Sequence, residues 1–367
     1  MNFSNSRVPF NDVSRRYTFS ETMKFEMFEL IQNGPYLNGE ITSRFQTRFA
    51  DFIGTEFCLG VSSGTTALEI ALASLSLPKG SKVLVAANAG GYGSIAINKT
   101  NHVPVYLDVN NDGILDVQSI MNASSEISAV IITHLYGQTV RLDQLSDYLK
   151  ERNIFLIEDC AQAVGAFIGY KRAGSFGDVS AFSFYPTKNL GAVGDAGAVC
   201  TSDTKIFERS SKLREYGWSR RYFSEYNMGG NNRIDEIQAL VLDSQLHKLD
   251  DWNSRRRLIW ERYNVATKKS GLRLLGSNSA EFVAHLAVID CTDRDRFIRY
   301  MNAAGIDTAI HYPYPDYAQP GLTHEKIQES LCTTERLCSS VVSIPLFPEL
   351  TEDEISNVEN ALVNYKG

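Results

Sequence analysis

Lys188 stands alone in a glycine-broken loop, Tyr185-Pro186-Thr187-Lys188-Asn189-Leu190-Gly191, followed by Gly194 and Gly197. Pro186 argues against helix there, and the glycines let the backbone turn tightly or approach a ligand closely. Upstream, the apolar run Ile154–Ile157 ends in two carboxylates, Glu158 and Asp159. Ser183 lies between them and the lysine. An amine, a carboxylate of buried type and a hydroxyl are the groups that hold pyridoxal phosphate (PLP). The amine forms the imine, the carboxylate keeps the ring nitrogen protonated, and donors take the phosphate. Lys188 and Asp159 suit the first two roles, and Ser183 is a candidate for the third. Taken singly, each residue has a plainer explanation. Loop lysines are mostly solvated, and an Asp at a strand end is commonly a cap or turn residue.

Buried elements must position these groups. Ile154–Ile157 reads as a parallel strand buried on both faces, so Asp159 falls at its carboxyl end, where open α/β sheets bind ligands. Residues 179–184 read as a second strand. Val179, Ala181 and Ser183 share one face, Phe182 and Phe184 the other. Phe57–Val61, Lys82–Ala86, Val103–Leu107 and Ala129–Thr133 read as further strands, alternating with helical or loop stretches such as Leu142–Leu149. That alternation predicts an α/β fold with a mostly parallel sheet flanked by helices. Ser62 or Ser63 starts a helix with Ala67, Leu68, Ala71, Leu72 and Leu75 on its apolar face. A helix that begins at Gly64-Thr65 presents free N–H groups and a positive dipole end, a ready phosphate site.

Elsewhere, Phe45, Phe49 and Phe52 recur at helical spacing and read as core. Residues 165–177 read as a turn-rich connection over the site. Residues 203–216, about 235–268, 293–304 and 351–365 read as helices, the last with a Thr351/Glu354 capping box. Residues 281–289 read as a strand.

EDCAQAVGA followed by GSFGDVSAFSFYPTKNLGAVGDAGAV is long and specific. In order and spacing it resembles the sugar aminotransferases of the DegT/DnrJ/EryC1/StrS family. The resemblance runs from Val8-Pro9-Phe10 to Ser343-Ile344-Pro345-Leu346. It implies PLP fold type I, aspartate aminotransferase-like, with a large domain over 1–245, the N-terminal segment included, and a smaller C-terminal α/β domain over 246–367. It implies that Lys188 carries the cofactor and Asp159 meets its ring nitrogen. Gly64 and Thr65, within the family's SGT turn, cradle the phosphate together with Ser183. Ala161 packs on the ring, and Gln162 reaches its phenolic oxygen or the substrate. Gly229-x-Asn231-x-Arg233 matches a family motif whose asparagine reaches the partner subunit's cofactor phosphate, which makes a homodimer part of the site. Arg220, Arg221 and Arg233 suit a diphosphate, since arginine binds phosphate oxygens bidentately. His311-Tyr312-Pro313-Tyr314-Pro315 resembles the HYPxP of members acting on 3-keto sugars. His311 and Tyr312, with Tyr185, are therefore the expected substrate contacts.

One position departs from the family. Where it carries a threonine-aromatic pair, with the aromatic stacked on the cofactor ring, this chain has Ala89 and Gly90. Tyr92, or a neighbouring backbone segment, is the expected cover. The implied reaction moves an amino group from L-glutamate to a nucleotide-linked keto sugar, at C3 of a dTDP-3-keto-6-deoxyhexose. The alternatives are amination at C4 or of a UDP- or GDP-linked sugar. A sugar dehydratase of the same scaffold would carry histidine in place of Lys188, and a regulatory member would have lost the site. Gly60-Val61-Ser62-Ser63-Gly64 also satisfies the G-x-S-x-G of a hydrolase nucleophile elbow at Ser62, and short motifs of this kind match by chance.

Composition narrows the rest. Of 367 residues, 43% are hydrophobic and 22% charged, which is ordinary for a soluble globular chain. A net charge of −7 argues against a general nucleic-acid binder. The six cysteines form no CxxC pair, so neither a metal site nor a disulfide framework is expected. The opening MNFSNSRVPFNDVSRR lacks the apolar core of a signal peptide, and no run approaches a membrane span. A cytoplasmic location is expected.

Overall fold

Alternate residues of one strand enter two different cores, and this defines the sheet. In β4 (Ile127–Thr133), Ala129 and Ile131 pack on one side while Val130 and Ile132 pack on the other. The computed structural model describes residues 7–17, 19–123, 126–322 and 331–367. Residues 1–6, the head of the segment read as lacking a signal peptide, lie outside that set. The other strands are β1 (Phe57–Val61), β2 (Lys82–Ala86), β3 (Val103–Leu107), β5 (Phe155–Asp159), β8 (Val179–Ser183) and β9 (Gly197–Thr201). A small hairpin, β6 (Phe167–Ile168) with β7 (Lys171–Arg172), stands aside. The sheet order is β1-β9-β8-β5-β4-β2-β3. β9 runs against both its neighbours, and the other pairings are parallel. The mostly parallel α/β sheet expected from the sequence is therefore present, and β1, β4, β5 and β8 end along one edge.

Helices α1 (Glu21–Asn33), α2 (Glu40–Ile53), α3 (Gly64–Ser74) and α4 (Tyr92–Lys99) precede β3. The phenylalanine stripe of α2 is core, as its spacing predicts. Phe49 meets Phe182 and Phe184 edge-on, with centroids 5.0 and 5.1 Å apart. Val179 and Ala181 lie in the opposite core, so the two-faced reading of β8 holds.

A second hydrophobic core surrounds the antiparallel sheet of β12 (Arg273–Leu275), β13 (Ala287–Asp290) and β14 (Val341–Ile344). It includes Trp260, Tyr263, Phe297 and Val358. Val8 joins this core and bridges to Ile306, while Phe10 packs against the large core, so the N-terminal segment touches both. The closing helix, Glu352–Asn364, has the expected capping box.

Three details differ from expectation. The helix expected over 235–268 is two helices, Glu236–Gln245 and Leu249–Ser270, separated by a 3-10 turn at Leu246–Lys248. The first packs against α2 and the second against the closing helix, so the turn redirects the chain between cores. The strand expected over 281–289 is confined to β13. Its earlier residues pair instead with the loop after β4: Val283 N–H donates to Gly137 O and His285 N–H to Tyr136 O. Residues 165–177 are turn-rich as expected, but they serve Glu158 rather than cover the site. The amides of Gly174, Phe176 and Gly177 all donate to its carboxylate, as does His134 Nε2.

Candidate active site

Strand alternation separates the two carboxylates. Glu158 turns into the protein, fully buried and consumed by those donors, and Asp159 faces a cavity of about 410 Å³. Lys188, Ser183, Gly64, Thr65, Ala161, Gln162, Tyr185, Tyr92, His311 and Tyr312 line the same cavity. Residues far apart in sequence thus converge at the carboxyl edge of the sheet.

Asp159 accepts from Ala161 N–H (3.0 Å) and from the Thr133 hydroxyl (3.2 Å). Burial pushes its carboxyl up, while the Ala161 amide, the Lys188 charge and the Thr133 hydroxyl pull it back. Burial drives the Lys188 amine down to about 8, opposed by the Asp159 charge. Each strains toward neutrality, and a charged ring between them would relieve the acid.

The lysine loop is held from outside. Arg16 Nη1 donates to Lys188 O (2.7 Å), and Tyr17 Oη donates to Ala192 O (2.6 Å). A Cβ at Gly191 would lie 2.4 Å from Pro186 O, so only glycine closes this turn. At the other end, Ser63 caps α3, its hydroxyl accepting from Thr66 N–H at 3.1 Å. A Cβ at Gly64 would lie 2.6 Å from Ser183 Cβ, so the absent side chain lets the end of β8 meet the helix N-terminus. Free amides, a positive dipole end and a hydroxyl then share one concave wall, which fits a phosphate group. With the acid and the amine, this donor set fits PLP.

Gly90 takes φ +76°, and a Cβ there would sit 2.9–3.1 Å from the Tyr312 ring. Tyr312 thus fills the space that a side chain at 90 would enter. Gln162 Nε2 donates to its hydroxyl (3.0 Å), and Gln162 Oε1 accepts from Tyr136 N–H (2.7 Å). Tyr92 stands at the rim, 47% exposed, edge-on to Tyr312. His311 stacks on Phe10 and bonds Ser343 Oγ at 2.8 Å. Burial, then the Lys188 charge, takes its ring down to about 4.

Five candidate residues, Ser62 of the hydrolase alternative among them, are not in this cavity. Arg220 and Arg221 lie on an exposed hairpin of β10 (Trp218–Arg220) and β11 (Phe223–Ser224). With Arg214 and Arg233 they line a separate surface cleft. Asn231 is exposed and accepts from Arg233 Nη2 at 2.6 Å. Ser62, the hydrolase alternative, donates to the Thr66 hydroxyl rather than to an imidazole. Sequence reasoning missed Arg16 and His285. Arg16 carried no motif. His285 was legible as a lone polar residue among Phe282, Val283, Ala284 and Leu286.

The sequence profile of the DegT/DnrJ/EryC1/StrS aminotransferase family matches residues 19–363. The chain belongs to this family. It is 34% identical over 98% of its length to a dTDP-3-amino-3,6-dideoxy-alpha-D-galactopyranose transaminase of Aneurinibacillus thermoaerophilus, covering 99% of that protein. It is 35% identical over 96% of its length to the erythromycin biosynthesis sensory transduction protein EryC1 of Saccharopolyspora erythraea, covering 97% of it. The crystal structure of S. venezuelae DesV in complex with a ketimine intermediate superposes with a TM-score of 0.91 at 33% identity, covering 98% of each chain. The fold is that of the PLP-dependent aminotransferases, and the enzyme class and cofactor expected from the sequence stand.

Proposed function

We propose that this family member transfers an amino group from L-glutamate to C3 of a dTDP-linked 3-keto-6-deoxyhexose. The observation that carries the reading is the convergence of Lys188 and Asp159 on one cavity whose far wall is the N-terminus of α3. A transaminase from a full-length relative, named for a dTDP-3-amino sugar, supports the sugar and the carbon. Bound PLP supplies an electron sink and a carrier for the amino group. Lys188 holds it, then moves a proton as base and acid. An amine near pKa 8 is suited to both roles close to neutral pH. Asp159 keeps a positive charge on the ring nitrogen. Gly64, Thr65 and Ser183 hold the phosphate, Ala161 lies against the ring, and Gln162 orients the Tyr312 hydroxyl.

Tyr312, backed by Gly90 and flanked by Tyr92, takes the space of the family's aromatic. Tyr185, His311 and Tyr312 border the sugar. Arg220, Arg221 and Arg233, separate from the cavity of their own chain, meet the diphosphate in the partner's site, where Asn231 reaches the cofactor phosphate. The functional unit is then a homodimer, and the cytoplasm, where nucleotide sugars are made, is its place. The site residues are intact, which disfavours a purely regulatory member, and Lys188 disfavours the dehydratase. The purified chain, given glutamate and a panel of nucleotide-linked keto sugars, should form 2-oxoglutarate beyond one equivalent per site only with a 3-keto substrate. Turnover of 4-keto sugars alone would reject the C3 assignment.

A further inference from the structure

His285 is 6% exposed and lines the cavity with Lys188, yet the roles above leave it unused. Its protonation pattern follows from its neighbours. Asn253 Nδ2 donates to Val164 O at 3.0 Å, which turns Asn253 Oδ1 toward Asn189. Asn189 Nδ2 donates to that oxygen (2.8 Å) and to Val283 O (3.1 Å). Flipping either amide would set an oxygen against a backbone carbonyl, which only accepts. Asn189 Oδ1 is therefore the acceptor in its 2.9 Å contact with His285 Nδ1. The ring hydrogen sits on Nδ1, and in a neutral imidazole Nε2 then bears a lone pair.

The ring stays neutral. Burial is the largest cause, joined by the positive charges of Lys188, Arg256 and Arg16 and by His311. Its backbone is fixed too, N–H to Tyr136 O and C=O to Arg256 Nη1. With Nδ1 turned to Asn189, the opposite edge is left for the cavity.

We infer that His285 is a positioning residue for Lys188, its Nε2 held by the Asn253–Asn189 relay as an acceptor for the lysine ammonium. This rests on the reading of Lys188 as the reacting amine. Asn189 follows Lys188 directly, so one relay sets both the lysine loop and the ring that receives its proton-bearing end. The acceptor favours the charged amine and so opposes burial, as Asp159 does.

The test uses the full-length chain dialysed free of cofactor. Lys188 is reductively methylated with formaldehyde and cyanoborohydride between roughly pH 6 and 10, and quantified by peptide mass. The wild type should show a midpoint near 8. His285→Phe should lower it by about half a unit or more, and Asn253→Leu, which frees the relay at a distance, should lower it less. A midpoint unchanged in both variants overturns the inference. Should His285→Phe fail to fold, ¹⁵N-histidine spectra of the wild type decide. A non-titrating ring with Nδ1 protonated supports the inference, and a ring protonated at Nε2 overturns it. None of these readouts needs cofactor. Failure of the PLP reading would appear separately, as borohydride fixing PLP to a residue other than Lys188.

Discussion

At the residue scale, the site works because two buried ionisable groups are each held away from their usual state. Lys188→Ala should abolish turnover and the absorbance of the lysine-bound cofactor. Asp159→Asn keeps the shape but removes the charge that, in the proposed reading, holds the ring nitrogen protonated. The expected loss in kcat is on the order of 10²–10³, as for a lost electrostatic contact, with cofactor still bound. The lysine also predicts a pH effect. Its folded pKa, about 8, lies below the ordinary 10.5. Between those values the unfolded chain binds more protons, so stability rises with pH through that window. Below it, the penalty for the buried charge is fully present. Without cofactor, Lys188→Met should melt higher than the wild type at neutral pH, and the gap should close as pH approaches 10.5. A constant gap would exclude a depressed lysine. Lys188 and Asp159 stood out in the sequence as a lone lysine and a strand-end acid, and the resemblance to the family gave them their proposed roles; the structure brings both to one cavity. His285 was visible as a lone polar residue in an apolar run, but its partner, like that of Arg16, lies in the distant lysine loop, which no local pattern announces.

At the element scale, the site depends on how helices and loops are clamped. Phe49 of α2 wedges between Phe182 and Phe184, so it braces the strand that delivers Ser183 and leads into the lysine loop. Phe49→Ala should cost about 3–5 kcal/mol in urea unfolding. Asp316 is fully buried and accepts from Gly91 N–H (2.9 Å) and Ser94 Oγ (2.7 Å), capping α4 from the HYPYP side. Asp316→Ala should cost about 1–2 kcal/mol and loosen Tyr312, seen as faster exchange of the Gly91 amide. The bounds of β1, β2 and β3 were legible to the residue, because each is a short, mostly apolar run between turn signals. The break at Leu246–Lys248 was not. Nothing in LHK forbids helix, and the 3-10 turn lies where the packing partner changes from α2 to the closing helix.

For the whole molecule, we propose that this turn marks the boundary between a large domain and a small one, at 245/246. The N-terminal strap from Val8 through Arg16 crosses it, touching both the small core and the lysine loop. Sequence could not show that crossing, since a bridge such as Val8 to Ile306 depends on tertiary packing. Among the described residues, no helix is long and apolar enough to span a membrane. The exposed position of Asn231 and the arginine hairpin argues for sites shared across a dimer. Lys188→Ala and an inactive Asn231→Asp variant, mixed by unfolding and refolding, should then regain about a quarter of wild-type activity. Half of the random dimers are mixed, and each has one intact site. A mixture that stays inactive would place Asn231 in its own subunit's site.

The contact between Gly90 and the Tyr312 ring makes the two positions genetically interdependent. A lone Gly90→Phe would be rejected by steric collision, and a lone Tyr312→Gly would open a void. Introduced together they remove the collision and the void, but position 90 keeps its φ of +76°, so the pair still carries the backbone strain that glycine avoids.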